Sequence, residues 1–249
     1  MRKRMVSRFT VAGLLALGIA VPARAQMSGD GFLFHRPNAR ITIRGGYAVA
    51  RAGSDLFDFT TSQLTLNKRD FSGLSVGANV GFPVTDRLEI AFDAGYSHTS
   101  KRSEFRDLVD NNRLPIEQST VFDRVPLTAN LKYYLSPPGQ GIGSAAWIPA
   151  KVTPWLGAGA GMMKYRFKQD GDFVDANTNN VFTSTFDSDE WAPVAQGLAG
   201  VDFSITPLIA ITTEARYLYG KGSLSRDFGG FDKIDLSGIS ASVGLSFRL

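Results

Sequence analysis

Cysteine is missing from all 249 residues, which excludes a disulfide framework and thiolate metal sites. Past Val21 there is no apolar run of the roughly 20 residues that a spanning helix needs. A chain of this kind can therefore enter a membrane only as a closed barrel, where strand pairing satisfies every backbone polar group. Surplus charge is also lacking once the first residues are set aside. Arg2, Lys3, Arg4 and Arg8 precede an apolar run from Phe9 to Val21 that ends in Pro22-Ala23-Arg24-Ala25. That is the pattern of a secretory signal, with cleavage expected before Gln26. Removing residues 1–25 takes away five of the 27 Lys plus Arg and none of the 23 Asp plus Glu, leaving 22 against 23. The basic pI of about 9.4 thus belongs to the targeting segment, and nucleic-acid binding loses its only compositional support.

What is present favours sheet. The 26 glycines and 18 phenylalanines accompany segments in which apolar side chains alternate with small or polar ones, the pattern of a strand with one face in lipid and the other in a lumen. Between Phe71 and Phe82, Leu74, Val76, Ala78, Val80 and Phe82 share one face, and Gly73, Ser75, Gly77, Asn79 and Gly81 the other. After a short turn at Pro83 to Asp86, Leu88, Ile90, Phe92, Ala94 and Tyr96 alternate with Glu89, Ala91, Asp93, Gly95 and Ser97. The same reading places strands at about 40–50, 121–135, 208–219 and 236–249. Two further strands, at 155–167 and 193–203, mix glycine, alanine and aromatic residues. Pro126, Pro154 and Pro193 fit a closed barrel only at bulges or strand ends.

The connections 51–70, 99–120, 168–190 and 220–234 read as long polar loops. Those at 83–86 and 204–207 are short turns, and 136–150 is longer and rich in Pro and Gly. Long loops at one end, mostly short turns at the other and an even strand number are the marks of an outer-membrane barrel. The expected fold is all-β, a closed antiparallel eight-stranded transmembrane β-barrel over residues 39–249, preceded by a periplasmic extension at 26–38.

At this level the chain resembles the eight-stranded outer-membrane barrel superfamily that includes the OmpA transmembrane domain, the OmpW type and the attachment-invasion type. The resemblance is carried by Arg-Val-Pro-Leu-Thr-Ala-Asn-Leu-Lys-Tyr-Tyr-Leu (124–135), Pro-Trp-Leu-Gly-Ala-Gly-Ala-Gly (154–161), Glu-Ala-Arg-Tyr (214–217) and the last strand. It implies an outer-membrane location and partners in lipid, lipopolysaccharide and the assembly machinery. That machinery would read Ser242, Gly244, Phe247 and Leu249 as a polar, glycine, aromatic and final apolar signal. The family more often ends in phenylalanine than in leucine. A structural or surface-interaction role is expected, with an extracellular ligand or host surface as partner. A narrow solute channel of the OmpW kind is the alternative, and a lipid-modifying barrel enzyme is less favoured.

Alternation gathers Arg44, Arg124, Lys132, Arg216 and Arg248 in the lumen with Glu89, Asp93, Asp202 and Glu214. In a space just wide enough for side chains, these groups are expected to pair rather than line a wide channel. His98 and Ser100 share a strand face as base and nucleophile would, and lipid A deacylase barrels use such a pair on the outer wall. Here Lys101 follows instead of asparagine and the sequence offers no orienting acid in that family's position, so a rim histidine is the preferred reading. His35 falls in the extension, without a partner. Phe57, Phe59, Phe105, Phe173, Phe182, Phe186, Phe228 and Phe231 lie in the loops, where they either pack over the mouth or anchor a partner. Asp170, Asp172, Asp175, Asp187, Asp189 and Glu190 cluster without the spacing of a known calcium loop. No cofactor or metal is expected.

Overall fold

The computed structural model describes residues 31–110, 113–143, 146–175 and 180–249. The secretory signal and the first five residues of the expected extension lie outside the described residues. The chain forms β1 (Arg40–Ala50), helix α1 (Asp55–Gln63), β2 (Gly73–Pro83), β3 (Leu88–Val109), β4 (Pro115–Tyr134), β5 (Gly139–Ile142), β6 (Ala146–Pro149), β7 (Val152–Val174), β8 (Val181–Ser204), β9 (Ile209–Gly222), β10 (Ile234–Asp235) and β11 (Gly238–Arg248). Single 3₁₀ turns lie at Lys68–Phe71 and Arg226–Phe228.

Eight strands pair antiparallel in a ring, in the order β1, β2, β3, β4, β7, β8, β9, β11 and back to β1. The last strand meets the first from Arg40↔Arg248 to Ala50↔Gly238. Each ring strand has a hydrogen-bonded neighbour on both sides, which removes the free edges that an open sheet would expose. Leu74, Val76, Phe92, Leu131, Val243 and Leu245 stand exposed on the outer wall. Their alternate neighbours Asn79, Asp93, Lys132, Glu214 and Ser246 are buried inside. A continuous exposed apolar band is foreign to a water-facing surface and is the outer wall of a membrane-spanning barrel.

Three features differ from the expectation. First, residues 99–120 and 168–190 are largely strand rather than loop. β3 and β4 stay paired to Glu104↔Glu117, and β7 and β8 pair without interruption to Val174↔Val181. Above the band the outer face is polar and the inner face, though buried, is largely polar too, at Ser103, Gln118, Thr120, Gln169 and Ser188. The alternation in hydrophobicity therefore vanishes, while Thr, Val and Phe still favour extended backbone and the backbone groups still need partners. Second, Pro126 lies inside β4 at neither a bulge nor an end. The β3–β4 register is the same at Ala94↔Leu127 and at Ser97↔Arg124, and only the pairs between them are absent. The missing N–H opens a gap in the ladder instead of shifting it. Pro193 does abut a ladder end, since β8 and β9 first pair at Val194↔Gly220. Third, 136–150 folds into the β5–β6 hairpin, and α1 and β10 give structure to 51–70 and 220–234.

Candidate functional site

The ring interior has two layers of opposite chemistry. Toward the turn end, where β1 begins and β11 ends, it is charged. Asp93 binds Arg44 at 2.6 Å and Arg216 at 2.9 Å, and Glu214 binds Arg216 at 2.7 Å and approaches Arg44 at 3.7 Å. Glu89 lies 3.6 Å from both Lys132 and Arg40, and accepts a hydrogen bond from the Tyr134 hydroxyl at 2.8 Å. Asp202 binds Arg40 and accepts from the Trp155 indole N–H at 3.1 Å and the Thr212 hydroxyl at 2.9 Å. Lys132 lies 4.5 Å over the Trp155 ring. Gln196 ties this layer to neutral neighbours, donating to Asn130 at 2.6 Å and Thr128 at 2.8 Å and accepting from Arg216.

All nine inward charges named from the sequence point into the ring, but they do not form one network. Arg248 meets neutral oxygens, the Ser204 hydroxyl at 2.6 Å and the Pro207 carbonyl at 3.1 Å, and stacks against Trp147. Arg124 has the Phe122 ring at 5.0 Å and, among the described residues, no carboxylate within ion-pair distance. Arg40 belongs to the charged layer and escaped the sequence reading, although its parity with Thr42 and Arg44 was the available signal.

The glycines of β7 explain how so many side chains fit. Gly159 faces inward beside Asn130, and a Cβ there would come within 2.0 Å of the Asn130 side-chain oxygen. Trp155 lies across Gly200 of β8, where a Cβ would meet the indole at 2.4 Å. The mixture of glycine and aromatic residues that blurs this strand in the sequence is the packing device itself.

Toward the loop end the interior is apolar. α1 turns back over the mouth and inserts Phe57, fully buried, against Phe71 at 4.7 Å, Phe122 at 5.6 Å and Phe167 at 5.7 Å between ring centroids. Phe228 packs on Phe167 at 5.5 Å. Leu56, Leu64, Met163, Leu218, Ile234 and Leu236 complete this plug. Of the loop aromatics, Phe57 and Phe228 are therefore core, Phe105, Phe186 and Phe231 are partly buried against it, and Phe59 and Phe182 are exposed. Phe173 packs on Phe186. At the opposite end, the N–H of Leu33 donates to the Trp147 carbonyl at 2.8 Å and the N–H of Trp147 to the Leu33 carbonyl at 2.7 Å. Both side chains are buried there.

On the outer wall, just beyond the band, His98 Nδ1 lies 2.6 Å from Asp123. The opposite strand thus supplies an acid that the sequence order hid. Among the described residues His98 has no hydrogen bond to Ser100, so the arrangement is a histidine–carboxylate pair rather than an activated nucleophile. On the next two strands Lys164 lies over the Trp191 ring at 5.9 Å and is bound to Asp189 at 2.7 Å. Asp187 binds Arg166 at 3.0 Å, and Asp172 accepts from Thr183 at 2.6 Å. The Thr185 hydroxyl and nearby Lys168 hold the Asp170 carboxyl below the usual carboxylate range. No group of three or more metal-binding side chains comes together among the described residues. In the terminal strand Ser242 and Gly244 face inward, while Phe247 and Leu249 face out, Phe247 paired with Ile41 and Ile209.

No protein-family model matches the chain, and no curated protein matches it by sequence. Among solved structures it is similar to OprG, an outer-membrane protein of Pseudomonas aeruginosa, with 15% identity over 86% of this chain and 98% of that one and a TM-score of 0.47. It is likewise similar to neisserial surface protein A, with 15% identity, 85% and 96% coverage and a TM-score of 0.45. A third is the attachment invasion locus protein of Yersinia pestis, with 14% identity, 85% and 99% coverage and a TM-score of 0.41. The architecture itself stands on the chain's own strand pairings.

Proposed function

We propose that the chain is an integral outer-membrane barrel with an occluded interior, whose work is done by the β3–β4 and β7–β8 hairpins it presents at the cell surface. The observation that carries this reading is the pairing of a filled lumen with strands that continue far beyond the apolar band. A barrel of eight strands is only wide enough for side chains, and here ion pairs occupy one layer and the Phe57 plug the other. The hairpins then carry what can be recognised from outside, an extracellular ligand or a host surface. The rim of Tyr96, Trp191, Lys164 and Arg166 suits lipopolysaccharide headgroups, since amphipathic rings and cations gather at that depth. β11 serves as the assembly signal, and the same reading has residues 1–25 removed on export.

Reconstitution in a planar bilayer tests the occluded interior: the expected trace is flat, and steady single-channel openings for small solutes or ions would replace this reading with a narrow channel. Outer-membrane fractionation and intact mass should return a heat-modifiable protein beginning at Gln26. Phe247→Ala should lower its yield, whereas the inward Ser240→Ala should not.

A further inference from the structure

Arg124 is buried yet differs from every other cation of the interior. Arg40, Arg44, Lys132 and Arg216 each have a carboxylate, and Arg248 has three oxygen acceptors. The inward carboxylates are already engaged one layer below: Glu89 by Arg40 and Lys132, Asp93 and Glu214 by Arg44 and Arg216, Asp202 by Arg40. What Arg124 faces instead is a cavity of about 70 Å³ between the charged layer and the plug. By the same measure a single water needs roughly 10–15 Å³. Its walls are mixed: Ser97 and Ser242 contribute hydroxyls, Arg44 and Arg216 guanidiniums, and Met163, Leu218 and Leu236 apolar surface.

A guanidinium in such a place is costly unless something offsets its charge. Arginine is also the side chain best shaped to hold a carboxylate or comparable oxyanion in two parallel hydrogen bonds. We propose that this cavity is a binding site for one small monovalent anion, of the size of acetate or a halide, held on the Arg124 guanidinium with the serine hydroxyls as further donors. The methionine and leucine walls favour an anion with a short apolar part over a compact, strongly hydrated one. A divalent oxyanion is disfavoured by its charge, because the Arg44 and Arg216 guanidiniums that also line the cavity are already matched by Asp93 and Glu214 and Arg124 alone does not match it.

The test follows urea unfolding of the full mature chain refolded in detergent micelles, at constant ionic strength, with sulfate exchanged for acetate in one arm and for bromide in the other. An anion that binds only the folded protein lowers the unfolding equilibrium constant, by up to about tenfold for each tenfold rise in its concentration beyond the dissociation constant. Exchanging sulfate shifts both proteins through its general salt effect, so the expected result is that acetate, and more weakly bromide, raises the wild-type midpoint relative to that of Arg124→Met. Equal responses of the two proteins in both arms would overturn the site. Arg124→Met removes a charge without removing much volume, so it should fold. If it does not, bromide-soaked crystals decide the matter: anomalous density in contact with the Arg124 guanidinium supports the site, and its absence there overturns it.

Discussion

The two layers of the barrel interior are built from opposite materials. At the turn end, side chains from β1, β3, β8 and β9 are locked by charge, and each carboxylate must sit opposite a particular cation. At the loop end, α1 and the connection before β11 pack aromatic rings and aliphatic chains with no such requirement. The charged layer therefore specifies register more than it adds stability, since a buried ion pair recovers little beyond its desolvation cost. A one-residue slip would move every inward charge to the lipid face. The plug works the other way. Its burial is stabilising in proportion to area, and its inserted part, α1 with Phe57 and the Phe228 turn, is attached to the ring by loops, so that part can loosen while the ring persists.

Breaking the charged layer should have the largest effect. Asp93→Ala leaves both Arg44 and Arg216 with one carboxylate fewer in a buried site, and the expected loss is about 3–5 kcal/mol. Urea-dependent folding into lipid vesicles, read by gel mobility, measures it. A loss below about 1 kcal/mol would mean that the pairs behave as solvated surface charges.

Phe57→Ala should remove about 3 kcal/mol from the plug, with the loss falling on α1 rather than on the ring. Trypsin should then cleave the folded barrel faster after Arg51, Lys68 or Arg69, while the heat-modifiable gel shift remains. If Phe57→Ala lowers the urea midpoint of the ring as far as Asp93→Ala does, the layers form one cooperative unit and the distinction between them collapses.

The smallest effect belongs outside both layers. Asp187→Asn breaks the exposed pair with Arg166, which should change stability by less than about 1 kcal/mol. The same urea titration provides the baseline against which the interior variants are judged.

How legible these regions were in the sequence follows the same division. Inward charges on ring strands declare themselves because a residue of period-two parity has only two faces to choose between. Arg40 shares that parity with Thr42 and Arg44, but it is the first residue of β1, where the alternation has only just begun. The plug left no such trace: α1 is nine residues long, and its buried Leu56, Phe57 and Thr60 are too few to define a helical stripe. Phe57 and Phe59 look equivalent in the chain, and only the turn of the helix sends one inward and the other to solvent. The hairpin extensions were hidden for a different reason. Their inward residues, such as Ser103, Gln118, Thr120 and Ser188, are buried but polar, so pairing continues without any hydrophobic contrast to reveal it.

Those extensions set a length scale. β3 continues for 13 residues from Tyr96, at the upper edge of the band, to Val109. At about 3.3 Å per residue and the usual strand tilt of about 40°, that is a rise of roughly 30 Å. The headgroup layer on one side of a bilayer is only about 5–7 Å deep. The far end of β3 at Val109 therefore stands well clear of the headgroups. His98 and Trp191, near the base of the same sheet, remain within reach only of what lies in the membrane surface.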